Sequence, residues 1–335
     1  MGSLDTFSTN YFSIEKKITM AGPTEKPRRR RGRKGDSGKG KEARDDKSLK
    51  PGDSVKSYKP HNSCLVDLEG ESWHDVASGI KGCDDTIYTD PPSDSRDSNS
   101  RAMVEKYRSL ANEIYKTELQ VAAHGSNTKR GSDEQWVENT MKRGTLKDRI
   151  AATTVVVSTD PVHKLHALDS LLQMAGCSDA GQTNSRVAQM SAEALEDLFL
   201  NNLLPSHRKL FGLEQRPLYR YETDAKKTLS PRILLLWRYE EMIKEKFHLF
   251  LNRYLVATLK DGMELSKIIA LRTAGSLLRS VPEGESQLLN MMVNKLGDPG
   301  KKIASAAGHE LRRVLEQHRN MQIVVAREVS TKWFC

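Results

Sequence analysis

The residues in this chain whose types and spacing point most directly to chemistry are cations. Lys26, Arg28, Arg29, Arg30, Arg31, Arg33 and Lys34 lie in the run KPRRRRGRK. Guanidiniums clustered this tightly displace counterions from phosphate backbones and are also read as nuclear import signals. From Lys26 to Lys50 there are twelve basic and four acidic residues, a surplus of +8 against +9 for the whole chain. The rest is therefore near neutrality, which excludes a uniformly basic, histone-like protein. A second basic set follows much later. Residues 260–335 hold twelve cations and eight acids, and Lys295, Lys301, Lys302, Arg312 and Arg313 are candidates for a phosphate-facing ridge. A solvated face accounts for them equally well, because a one-dimensional sequence does not put charges on a common side. Aromatic residues make up 6% of the chain and fall mostly on helix stripes, so no base-stacking platform is expected.

Other chemistry fares worse. Residues 35–42 (GDSGKGKE) approach a phosphate-binding loop, but Glu42 stands where a magnesium-binding hydroxyl is needed and no apolar strand leads in. His163 and His166, flanked by Asp160 and Asp169, lack a recognisable further ligand set and read as surface histidines on an ordinary helix. Glu193 with Glu196, and Glu240 with Glu241, read as solvating charges on polar helix faces. Cys64, Cys83, Cys177 and Cys335 show neither zinc nor disulfide spacing, as befits a reducing compartment. No nucleophile, base and orienting group share a motif, so no enzyme, no cofactor and no metal is expected. No apolar window is long enough for a membrane span.

The elements that position these residues read as helices. A mean hydropathy of -0.61, with 37% hydrophobic and 29% charged residues, leaves too little apolar material to core the whole chain. Residues 1–100 read as a disordered tail carrying the basic tract, an acidic linker and one apolar patch, Cys64 to Val76 around Trp73, which is too short to core a domain and reads as a docking segment. Residues 101–135 read as an amphipathic helix, with Met103, Tyr107, Leu110 and Ile114 on its stripe, and a polar connector. Helical periodicity then continues through residues 136–335. Thr145 stands three residues before Asp148 as a cap, with Leu146, Ile150 and Thr154 sharing a face. Asp160-Pro161 opens the next helix, and Ser230-Pro231 opens a long one bearing Leu234, Trp237, Phe247, Phe250 and Tyr254. Two helical hairpins superimpose at a period of 37 residues: Leu259 on Leu296, Asp261 on Asp298, Ala270 on Ala307, Leu277 on Val314 and Leu278 on Leu315. The expected fold class is all-α, a HEAT-like helical-repeat solenoid with a long disordered basic N-terminal tail.

Several words of the sequence, in order, also carry a resemblance. They are Trp136-Val137, GTLKDRIAA at residues 144–152, DPVH at 160–163, ALDSLL at 167–172, ALEDLFLNNLLP at 194–205, RKL at 208–210, LLLWRY at 234–239, LLRS at 277–280, VNKLGDP at 293–299 and VAREV at 325–329. Together they resemble the CCAAT-binding-factor family over about residues 136–331. The resemblance implies a nucleolar and nuclear helical-repeat scaffold without catalysis. It implies partners too: precursor ribosomal RNA, nucleolar complex protein two and the proteins of pre-60S particles. A DNA-bound transcriptional cofactor at CCAAT elements is the second function the family implies, although no groove-reading contacts are evident in the sequence. Residues 177–185 are polar where the family tends to be basic, and the family continues well past the matching region, so the chain resembles an amino-terminal portion. If charge carries RNA binding, affinity is expected to fall steeply from low to physiological salt, and an affinity indifferent to salt contradicts that mechanism.

Overall fold

The computed structural model describes residues 63–68, 70–84, 86, 98–127, 132–178, 185–223 and 229–333. The basic tract from Lys26 to Lys34, the motif at residues 35–42, most of the acidic linker and Cys335 lie outside them. Among the described residues every regular element is helical, and none of the helices is long and apolar enough to cross a membrane.

Local signals set the early helices. The amphipathic stripe becomes α2 (Ser98–Asn127), which follows a short α1 (Trp73–Gly79) and precedes α3 (Ser132–Arg143). In α4 (Leu146–Thr159) the β-branched run is helical because the start is capped: Thr145 Oγ1 accepts the Asp148 N–H at 3.3 Å. The inward face differs from the expected one. Ile150, Thr153 and Val157 are buried while Leu146 is 49% exposed, and the Thr153 hydroxyl is satisfied by donating to the Arg149 carbonyl at 2.7 Å. Asp160-Pro161 does not open an α-helix. Residues 160–164 form turns, Asp160 Oδ1 accepting the His163 N–H at 3.2 Å, and α5 (Leu165–Met174) starts only after them.

A long central helix organises the rest. Ser230 Oγ accepts the Arg232 N–H at 3.2 Å and Pro231 occupies the first turn of α8 (Pro231–Leu249), which follows α6 (Ser185–Leu198) and a short α7 (Tyr219–Thr223). Residues 233–237 of α8 are all buried, so the helix is covered on every side rather than along one stripe. Both α6 and α8 end in π-helical turns, Phe199–Leu203 and Phe250–Val256. These turns meet through aromatic rings: Phe199 lies 5.0 Å from Phe247 and 5.6 Å from Phe250.

Glu240 and Glu241 are not solvating charges. Both are buried, and apart from Arg238 on the same helix their partners come from segments that sequence separation hides. Glu240 accepts from Arg208, from Arg216 at 2.6 Å and from the Phe211 N–H at 2.9 Å. Glu241 accepts from Arg108 at 3.0 Å, Arg238 at 2.6 Å and the Leu213 N–H at 3.2 Å. Burial works against the charged form of Glu241, but the bonds and charges of Arg108 and Arg238 outweigh it and hold the carboxyl below its ordinary range. Glu283 adds a third anchor by accepting the Leu210 N–H at 2.8 Å. The irregular connection between α6 and α7 is thus fixed by carboxylates rather than by a core of its own.

The docking segment expected around Trp73 lies against the helices. Residues 63–68 and 70–84 form a strap there. Trp73 is fully buried, donates from Nε1 to the Leu203 carbonyl at 3.0 Å and meets the Tyr239 ring edge-on at 5.3 Å. At the strap's other end the Cys83 carbonyl accepts from Trp237 Nε1 and, at 3.0 Å, from Arg216. Too short to form a core of its own, the patch fills a site on an existing one. His163 is not a surface histidine: its side chain is only 10% exposed, with Nδ1 2.9 Å from Asp160 Oδ1 and Nε2 3.1 Å from Glu118 Oε1. His166 is exposed, and Asp169 pairs with Lys246.

After α8, the chain runs through α9 (Ala257–Asp261), α10 (Glu264–Ser280), α11 (Glu285–Asn294), α12 (Lys301–Gln317) and α13 (Gln322–Trp333). The 37-residue period holds at element level, since α10 and α12 are both 17 residues long and begin and end 37 residues apart. Ala270, Ala307, Leu277 and Val314 are all fully buried at equivalent places. Helices α4, α6, α10 and α12 pack each on the next in one row, and α11 packs on α13 beside it. Gly275 permits the close approach of α10 and α12, because a Cβ there would stand 2.7 Å from Glu310 Oε2.

Truncating the docked indole, Trp73→Ala, is expected to cost ~3–5 kcal/mol of local stability. Limited proteolysis should then cut within residues 63–84 before it cuts α8. The depressed Glu241 carboxyl contributes stability above the ordinary glutamate range that is lost as pH falls through its folded value. The unfolding midpoint should therefore drop below about pH 4.3, and Glu241→Gln, less stable at neutral pH, should lose less over that interval.

Candidate nucleic-acid interface

The first turn of α12 is built against its own stability. It holds Lys301 and Lys302, no acid and no side-chain cap, so two cations face the positive end of the helix dipole. Neither lysine is used in the core, since both side chains are exposed. A local rule broken without a packing gain is what a binding surface does.

Around that turn runs an open groove of about 670 Å³ between α10 and α12. Lys302, His309 and Arg312, spaced by seven and three, share one side of α12, with Lys301 next to them; Arg272 comes from α10. The floor is Ser305 and Ala306, small enough to let a ligand approach the helix. Glu310 supplies the groove's acid, but it is buried and accepts from Arg279 at 2.7 Å and Arg313 at 3.3 Å, so its charge is already compensated. Lys302 pairs with Glu264 at 2.9 Å across the mouth. With both partners at the surface, that contact is weak and easily exchanged for a phosphate.

The structure divides the ridge expected from sequence. Lys301, Lys302 and Arg312 line the groove, whereas Lys295 and Arg313 do not. Lys295 instead bonds Asp298 at 2.8 Å, and with the Gly300 N–H it holds that carboxyl below its ordinary range. Arg272 belongs to the groove and was counted in sequence only among the general surplus. The signal that would have found it is the 37-residue period, which sets α10 directly beside α12. The seven cations from Lys26 to Lys34 lie outside the described residues.

Matches to known proteins cover about 62–69% of the chain. CCAAT/enhancer-binding protein zeta of Mus musculus is 32% identical over 235 residues, 69% of this chain and 22% of that protein. Nucleolar complex protein 1 of Drosophila melanogaster is 34% identical over 212 residues, 62% of this chain and 18% of that protein. Ribosome biogenesis protein NOC1 of Chaetomium thermophilum is 31% identical over 221 residues. These homologues bear the names of the family that the sequence resembles. The chain spans about a fifth of their length, and no family model matches it. The family's printed names speak of nucleolar complexes and ribosome biogenesis on one side and of CCAAT binding on the other.

Lys301→Glu is expected to raise thermodynamic stability by about 0.5 kcal/mol, because it turns an opposing charge at the helix start into a favourable one. Chemical denaturation reads this directly. A loss above about 1 kcal/mol would mean that Lys301 is held by contacts of the fold, not kept for a ligand.

Proposed function

We propose that this chain is a non-enzymatic, nuclear and nucleolar assembly factor for the large ribosomal subunit, which scaffolds early pre-ribosomes by holding precursor ribosomal RNA and a partner protein. The observation that carries the reading is the groove of Arg272, Lys301, Lys302 and Arg312, set on a row of stacked helices, where Lys302 pairs with the exposed Glu264. The row α4, α6, α10, α12 with its equal 17-residue members supports a HEAT-like solenoid, whose length suits a long phosphate backbone. The relatives named for the nucleolar complex and for ribosome biogenesis support the process, and the family resemblance supports nucleolar complex protein two and pre-60S proteins as partners. Arg28 to Lys34 add import and sequence-independent RNA affinity. Many weak phosphate contacts suit an intermediate that is held and later released.

One relative's name favours a second reading, a transcriptional cofactor at CCAAT elements. The two separate in one titration. Fluorescence anisotropy with single-stranded precursor-rRNA fragments should give a salt slope that falls by about 2 when Lys301, Lys302 and Arg312 are all changed to glutamate, three phosphate contacts being lost. An unchanged slope in a folded variant rejects the groove. A CCAAT duplex bound more tightly than its scrambled counterpart at matched salt rejects the RNA reading in favour of the cofactor.

A further inference from the structure

Cys64, Glu118 and His163 come from three distant parts of the chain: the strap, helix α2 and the turns before α5. One ligand atom of each lies within 4.8 Å of the other two. We propose that these three side chains form a binding site for a divalent transition metal of borderline softness, Zn²⁺ foremost.

The donor set selects the metal. One thiolate sulfur, one imidazole nitrogen and one carboxylate oxygen suit zinc in a tetrahedral site with a solvent molecule as fourth ligand. Magnesium and calcium call for oxygen alone. Zinc bonds of about 2.0–2.3 Å put ligand atoms about 3.5 Å apart. His163 Nε2 and Glu118 Oε1 already stand at 3.1 Å, and the sulfur has at most about 1.3 Å to travel from its limit of 4.8 Å.

The surroundings are those of a ligand set held in place. His163 Nδ1 meets both oxygens of Asp160, at 2.9 and 3.0 Å, which leaves Nε2 as the nitrogen facing Glu118 and Cys64. A carboxylate behind a histidine is the usual orienting partner of a metal-bound imidazole. The Glu118 carboxylate is fully buried and fixed by the Leu65 N–H at 2.9 Å and the Val66 N–H at 3.1 Å. Cys64 is only partly buried, which gives the ion a way in and the fourth position to solvent. In the metal-free chain the imidazole bridges Asp160 and Glu118, and Cys64 keeps its proton. On binding, the metal replaces the Nε2 proton and the thiol proton, and both leave to solvent. The bound ion would tie residues 64–66 to α2 and to the turns before α5 at a single point.

The test uses the untagged 335-residue chain, stripped with EDTA and titrated with Zn²⁺ or Co²⁺ alone. Mass spectrometry of the metal content should give one zinc per chain after dialysis. Co²⁺ should produce a thiolate-to-metal charge-transfer band in the near ultraviolet. Cys64→Ser, whose metal-free circular dichroism and unfolding midpoint should match the parent, is expected to lose the band and weaken zinc by about 100-fold or more, and Asp160→Asn, acting through His163, by roughly 10-fold or more. Zinc should also shield Cys64, but not Cys83 or Cys177, from alkylation mapped by peptide mass spectrometry, a readout that needs no variant. Less than a tenth of an equivalent of zinc, or zinc held equally by the parent and Cys64→Ser, or unshielded Cys64 in the zinc-loaded parent, would overturn the site.

Discussion

The carboxylate of Glu240, buried in the central helix and shared by Arg208 and Arg216, is the interaction on which the remainder depends. A buried charge without its partners costs several kcal/mol, and two guanidiniums around one carboxylate leave none of the three free to move. Arg216 also lies 5.1 Å over the Trp237 ring and donates to the strap carbonyl of Cys83. One ion network thereby joins α8, the irregular segment between α6 and α7, and the docked residues 63–84. Apolar packing gives this region its bulk, but directional charge pairing decides which segments meet. Neighbouring Glu241 repeats the device with Arg108 on α2 and Arg238.

That arrangement separates two uses of charge. Glu240 and Glu241 on α8 are buried and neutralised by arginines, whose forked guanidiniums suit desolvated pairing. The lysines at the start of α12 are exposed, oppose their helix dipole and carry at most one surface ion pair. The same residue class thus stabilises one end of the molecule and is held in reserve at the other. A groove of cations beside small residues, on a row of helices whose interior is apolar, presents its charge to solvent without asking the fold to move.

Local grammar was legible in the sequence. Thr145 and Ser230 announce their helices because each cap is satisfied within three residues, and the 37-residue period places α10 beside α12 because repetition copies one hairpin geometry. Asp160-Pro161 misled for the converse reason: its cap is made, but the turns it closes hold His163 against Glu118 instead of starting a helix. Glu240 and Glu241 misled because helix periodicity marks a face as polar without saying that the face is covered, and, apart from Arg238 on the same helix, their arginines lie 24 to 133 residues away. Trp73 shows the limit of composition. Few apolar residues cannot build a core, yet a single indole can complete one. Three of the groove's four Lys and Arg residues, Lys301, Lys302 and Arg312, were visible as charge; the addition of Arg272 and the separation of Lys295 and Arg313 required the packing of α10 on α12.

The most direct test of the central claim is ultraviolet crosslinking in cells, followed by sequencing of the attached RNA. The chain would be compared with residues 26–34 deleted and a nuclear import signal supplied, and with the groove charges reversed. Discrete peaks in large-subunit precursor rRNA that survive the deletion and fade on reversal at Lys301, Lys302 and Arg312 are what the account predicts. Peaks that vanish with residues 26–34 and ignore the groove would contradict it, leaving the stacked helices as a protein-binding surface and the basic tract as the sole contact with RNA.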